Sequence, residues 1–295
     1  MNILNNLLRS PLIMHWFSGW SLKGDSAQLT PRKPAEKGKV VLIGAGPGDI
    51  ELMTVKALRL LKQADVLLFD SLVSAELLAI APRHCKKVFV GKRAGCHSMP
   101  QQEINQLLVD YGLQGGLVVR LKGGDPAIFG RVSEEAAALQ LAGIAFAIVP
   151  GVTSACAASA YCGIPLTARG CATSVQFLTA QFADPAKQPD WSNYQFSANG
   201  SNPTLVVYMG LSRLQQLCAG LLSVGWPGDT PIALLDQVST AQQTQLQGSL
   251  VNIVQRLAKQ PLAGPTLIIV GNVLHHRMNV DLSLLKETLG AVDLL

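Results

Sequence analysis

The sequence predicts an α/β protein of two lobes, each a mixed or parallel sheet flanked by helices. Three observations carry this expectation. From Lys39 onward, short apolar runs alternate with helical patterns, the arrangement left by strands joined through crossover helices. With 295 residues, 48% hydrophobic and only 15% charged, the chain lies near the upper size limit of one continuous core, so two are expected. Between the two series of runs stands Pro150-Gly151, which reads as a hinge.

The first lobe is assigned to residues 39–149. "KVVLI" is its first strand, followed by a helix through Val55, Leu58 and Leu61. "DVLLFD" (65–70) leads into a helix through Leu77 and Ile80, and "KVFV" (87–90) precedes one around Ile104, Leu107 and Leu108. "GLVVRL" (116–121), a helix from Ser133 to about Ala142 and the strand "AFAIVP" (145–150) complete it. The second lobe, residues 150–280, opens with the small-residue helix "TSACAASAYC" (153–162). Strands follow at 173–180, 204–210, 231–238, 243–249 and 266–273, with helices at about 211–223 and 250–259. The polar stretch 183–203, with three prolines and a glycine, reads as a surface loop. Residues 1–38 form an extension and linker, and 281–295 a tail.

Composition excludes several function classes. Of the five net positive charges, three fall in residues 1–38, so the body carries little of the footprint of a nucleic-acid binder; Arg83, Lys86, Lys87, Lys92 and Arg93 form one local basic cluster. No apolar run reaches the roughly 18–20 residues that span a bilayer, and no membrane partner is expected. The six cysteines include no CxxC pair and the five histidines no HExxH, so no metal is expected and the setting reads as a reducing cytoplasm. "LIMHWFSGW" (12–20) is broken by His15 and lacks a small-residue cleavage site, which argues against a signal peptide.

In open α/β sheets ligands bind beyond the carboxyl ends of the strands. Gly44 to Asp49, Asp70, Gly91 to Arg93, Lys122 to Asp125 and Met209-Gly210 all fall there. The first of these loops, in "VVLIGAGPGDIELMT" (40–54), spaces its glycines G-x-G-x-G, not in the dinucleotide pattern G-x-G-x-x-G. Pro47 removes an N–H that a phosphate loop would use, and Asp49 would repel a pyrophosphate. The second, "RLKGGDPAIFGRVSEE" (120–135), sets Gly123, Gly124 and Asp125 at a strand end. A cationic ligand without phosphate, such as S-adenosylmethionine, suits this loop; a glycine turn capped by Asp125 is the ordinary alternative.

Taken together, "VVLIGAGPGDIELMTVKALRLLKQADVLLFDSLVS", "VFVGKRAG", "VVRLKGGDPAIFGRVSEE", "VPGVTSACAASAYCGIPLTARG" and "LVVYMG" resemble the uroporphyrinogen-III C-methyltransferases of the tetrapyrrole methylase superfamily, from about Lys39 to about Asn279. The resemblance implies the two-lobed tetrapyrrole methylase fold, a homodimer, and S-adenosylmethionine as cofactor with S-adenosylhomocysteine as its product. It implies two successive methylations of uroporphyrinogen III to precorrin-2, on the way to sirohaem or cobalamin. Cofactor contacts would come from Pro47, Gly123, Gly124, Asp125, Ile128, Thr153, Ser154, Met209 and Val238. Asp70 matches the family's proton acceptor and Lys92 its donor; their ordinary alternatives are a helix cap and a surface cation.

The substrate bears eight carboxylates, which arginine's planar fork suits. The resemblance assigns substrate contacts to Arg131, Arg169, Glu134 and Met209, with Arg131 also near the chemistry; helix-face salt bridges are the alternative for these charges. Ala127, Ala168 and Val238 depart from the family's pattern, so no histidine is given a role before Arg169. A later precorrin, an RNA substrate, or a catalytically silent cofactor sensor are the competing readings.

Overall fold

The computed structural model describes residues 37–91, 99–182, 184, 187–198 and 201–287. Lys92, the expected proton donor, therefore lies outside the described residues, as do residues 1–36.

The first sheet consists of β1 (Lys39–Gly44), β2 (Val66–Phe69), β3 (Lys86–Phe89), β4 (Leu117–Lys122) and β5 (Ala145–Val149). Its order is β3-β2-β4-β1-β5 and every pairing is parallel. The connecting helices are α1 (Val55–Leu61), α2 (Ala75–Ile80), α3 (Gln101–Gln114) and α4 (Val132–Leu141). Strand alternation sends successive residues to opposite faces. Val41 and Ile43 join Leu67, Val119 and Leu121 beneath α1 and α2, while Val40, Leu42, Leu68 and Val118 pack against α3 and α4. Local chemistry starts the helices where the strands end: Thr54 and Ser74 accept hydrogen bonds from the N–H groups of Ala57 and Leu77, capping α1 and α2.

The chain then forms α5 (Ser154–Cys162) and the second sheet, built from β6 (Val175–Thr179), β7 (Thr204–Tyr208), β8 (Pro231–Asp236), β9 (Thr244–Ser249) and β10 (Thr266–Val270). Its order is β6-β7-β10-β8-β9, with only β6 and β7 parallel. One face carries α6 (Leu214–Ser223) and α7 (Ile253–Lys259) over Leu205, Val207, Ile232, Leu234 and Ile268. The other is covered by α5, whose Ala155, Ala157 and Ala158 are small enough to sit close upon Val206, Leu235 and Ile269.

The stretch read as a surface loop, 183–203, differs in part from that expectation. Trp191–Tyr194 forms a 3₁₀ turn whose indole lies against Gly220 of α6, where an added Cβ would collide with the ring. The Trp226 indole donates to the Tyr194 carbonyl at 2.7 Å. Three aromatic residues within six positions, Trp191, Tyr194 and Phe196, thus anchor this polar segment on the core.

Candidate active site

Three glycine turns meet at the carboxyl ends of β1 and β4. Gly46 and Gly124 exchange backbone hydrogen bonds (Gly124 N–H to Gly46 O, 2.7 Å; Gly46 N–H to Gly124 O, 3.3 Å), and the Ala45 N–H donates to the Lys122 carbonyl at 2.7 Å. An added Cβ on Gly44 would lie 2.6 Å from both Gly124 O and Gly151 Cα, so Gly44 is required by main chain meeting main chain. Gly124 differs. Its φ is 66°, and an added Cβ would meet nothing nearer than Ser154 N and Thr153 Cα at 3.9 Å. The room left there is space for a ligand.

That space belongs to a cleft of about 650 Å³ at the end of β4, facing the end of β7 and the segment after β8. Its volume falls in the roughly 300–1,000 Å³ range of sites that enclose small molecules. Pro47, Val238 and, at the start of α5, Thr153 and Ser154 line the cleft, and the Pro47 loop meets the segment after β8 where the Asp49 N–H donates to Ser239 Oγ at 3.2 Å. Ile128 and Met209 add apolar surface, and Gly123, Gly124 and Asp125 the floor. Asp70 and Arg131 also open onto it.

Asp125 behaves as the turn cap that was its alternative reading. Its Oδ1 accepts from the Ala127 N–H at 2.8 Å and its Oδ2 from the Gly151 N–H at 3.0 Å, which ties the β4 loop to the 150–151 hinge. Asp49 makes a second tie: Oδ2 accepts from the Tyr161 hydroxyl at 2.6 Å, and its N–H donates to Ser239 Oγ at 3.2 Å. Burial and the neighbouring Asp49 carboxylate push the Tyr161 hydroxyl well above the usual phenol range, so it stays a donor.

Arg131 and Glu134 form a two-pronged pair on the rim, both contacts at 2.7 Å. The hydrogen bond from Arg131 holds the Glu134 carboxyl below its ordinary value. Glu134 does not itself line the cleft, and neither does Arg169, which is exposed on the turn closed by the Ala168 and Ala172 bridge.

Several lining residues escaped the sequence reading. Phe129 packs on Tyr208 in the cleft lining with ring centroids 5.0 Å apart, and the Tyr208 hydroxyl shares a 2.7 Å hydrogen bond with Thr153 Oγ1. Arg120 also escaped it, and together with Lys122, which the strand-end argument does place there, it is buried yet reaches the cleft wall; charged residues two apart in an otherwise apolar strand were the available signal. Strain marks the same region. The non-glycine residues with left-handed φ among the described residues are Phe129, Arg131, Met209, Gln237 and Ser239, and the first four line the cleft.

Comparison with known proteins places this geometry. A siroheme synthase of Acinetobacter baylyi is 48% identical over 82% of the chain, but this covers 52% of that protein; the chain spans about half the length of such relatives. A uroporphyrinogen-III C-methyltransferase of Paracoccus denitrificans is 46% identical over 82% of the chain and 83% of its own length. The solved uroporphyrin-III C-methyl transferase of Thermus thermophilus, complexed with S-adenyl homocysteine, superposes with a TM-score of 0.70 at 38% identity, covering 81% of this chain and all of that one. The family description "Tetrapyrrole (Corrin/Porphyrin) Methylases" matches residues 39–254, which hold the whole first sheet and every strand of the second but β10. The chain belongs to the tetrapyrrole methylase family.

Proposed function

We propose that the chain is an S-adenosylmethionine-dependent C-methyltransferase that methylates uroporphyrinogen III twice, giving precorrin-2 through precorrin-1. The observation that carries this reading is the cradle at Gly124, open toward Thr153 and Ser154, sharing one cleft with the Asp70 carboxylate. The residues fit the cofactor: Gly123 and Gly124 present backbone, Pro47 offers no N–H for a phosphate, and the Phe129 and Tyr208 rings, tilted at 57° to each other, supply aromatic surface.

When bound, S-adenosylmethionine supplies an electrophilic methyl group on a sulfonium. A pyrrole carbon is already nucleophilic, so the chain's task is alignment and exclusion of water. Pro47, Val238 and Met209, the last held at φ 55°, line the cleft in which the reacting groups would meet. Asp70 takes the proton that the methylated ring must release. Its Oδ1 accepts from the Leu72 N–H at 3.0 Å, which fixes the carboxylate's direction at the strand end. Arg131 binds a carboxylate arm of the substrate: Glu134 occupies two of its five N–H donors and orients the rest outward. Lys92 and Arg169 are assigned donor and outer carboxylate-binding roles on the resemblance alone.

The chain acts as a homodimer in the cytoplasm, without nucleic acid or membrane. Phe146 and Ile148, exposed on the same face of the edge strand β5, support a covered surface there. Among the described residues, no helix is long and apolar enough to cross a membrane. Residues 39–149 and 150–280 are read as its lobes, with 1–38 and 281–295 as appendages.

The test is anaerobic incubation with S-adenosylmethionine and uroporphyrinogen III, then mass spectrometry of the oxidised tetrapyrrole. Gain of two methyl groups is expected. No gain, with S-adenosylhomocysteine still bound, would move the substrate to a later precorrin or to RNA.

A further inference from the structure

β4 ends with two cations on the face covered by α3 and α4. Arg120 and Lys122 keep only 5% and 6% of their side-chain surface exposed, and Glu135 of α4 keeps none. Glu135 meets its neighbours with one oxygen. Oε1 accepts from Lys122 Nζ at 2.8 Å, Arg120 Nε at 3.2 Å and Gln101 Nε2 at 3.4 Å, whereas Oε2 is buried with no partner among the described residues. Arg120 extends through Nη2 to Asp70 Oδ2 at 3.4 Å, and its Nη1 donates to the Leu121 carbonyl at 2.9 Å.

Two ammonium-type and two carboxylate charges thus cancel in a quartet of which Asp70, 23% exposed, is the member most open to the cleft. At this depth a unit charge is felt by its neighbours far more strongly than in water. Burial, and after it the adjacent Arg120 guanidinium, pull the Lys122 ammonium below the usual lysine value. The groups that also face the quartet are Gln101 of α3, uncharged, and Arg131 with Glu134 at the start of α4, which neutralise each other.

We propose that Lys122 and Glu135 are positioning residues whose charge balance, transmitted through Arg120, sets the protonation of Asp70 in the cleft. The inference rests on the methyl-transfer reading with Asp70 as proton acceptor. Neither residue touches the reacting atoms. Removing Lys122's charge leaves the quartet at minus one and favours a protonated Asp70; removing Glu135's leaves plus one and favours the ionised form.

The experiment is the pH dependence of kcat, at saturating S-adenosylmethionine and uroporphyrinogen III, for the unaltered chain, Lys122→Met, Glu135→Gln, the double variant and Lys122→Arg. The acid limb should move up by about one pH unit in Lys122→Met and down by about as much in Glu135→Gln. The double variant restores neutrality and should return the limb toward its original position, and Lys122→Arg should leave it in place. A merely structural role would lower kcat without ordering the limbs by charge. Limbs that stay put in both single variants, or move the same way, overturn the proposal. Where a single variant does not fold, seen as loss of a cooperative melting transition, the neutral double variant decides by whether its limb coincides with the original. An unaltered chain that methylates nothing would instead sink the methyl-transfer reading, before any variant is made.

Discussion

Alanine at Gly44 and alanine at Gly124 add the same methyl group to two turns that touch, yet they should fail in different ways. At Gly44 the new Cβ would lie 2.6 Å from Gly124 O, Gly151 Cα and Gly151 N, well inside the 3.4 Å at which ordinary contact begins. All three neighbours are backbone held by the Asp125 and Gly46 hydrogen bonds, so none can rotate away. Overpacking of this kind costs about 1–3 kcal/mol, and rigid neighbours place Gly44→Ala near about 3, a loss of roughly 6–12 °C in Tm. At Gly124 the new atom has room, and the expected cost in stability is the left-handed φ alone, about 1–2 kcal/mol. Its methyl instead occupies the cradle, so S-adenosylhomocysteine affinity should fall on the order of tenfold or more. Differential scanning fluorimetry and titration calorimetry on both variants separate the effects. Gly44→Ala melting within about 2 °C of the original would refute the close-contact argument, and undiminished binding by Gly124→Ala would refute the cradle.

Asp125→Ala removes the acceptor of two backbone N–H groups and should cost about 2–4 kcal/mol in urea unfolding, with Asp125→Asn recovering part of it because one oxygen remains. Arg131→Met should raise KM for uroporphyrinogen about 10- to 100-fold while leaving S-adenosylhomocysteine affinity unchanged, as steady-state kinetics and calorimetry would show. Because burial lowers Lys122 in the folded chain below its ordinary value of 10.5, the unfolded chain binds more protons between the two values. Stability should therefore rise with pH across that alkaline window, and urea midpoints should lose this rise in Lys122→Met.

The succession of strands and helices along each lobe and the convergence of strand-terminal loops were legible because periodicity and glycine spacing are local properties. Pro47, Gly123, Gly124 and Asp70 could be placed on a common crevice for that reason alone. Asp125 was legible in part: the cap on its own turn is local, whereas its bond to the Gly151 N–H, 26 positions away, is not. The tie between Asp49 and Tyr161 spans 112 positions and depends on how α5 lies against the first turn. Arg120 and Lys122 stood in plain view in "VVRLK", but only the covering of their face by α3 and α4 turns them into buried charges. Arg169 carried a motif position and no cleft contact, since its turn points it outward.

The left-handed residues around the cleft bear on any attempt to make this protein hardier. Phe129, Met209 and Gln237 occupy backbone that glycine would adopt without penalty, and relief of each should be worth about 1 kcal/mol, so a search for heat-resistant variants would be drawn to them. Each such gain would delete a side chain from the wall that encloses the reacting groups. Durability and turnover should therefore trade against each other at these positions, whereas positions such as Leu141, 91% exposed on α4, are free of that conflict.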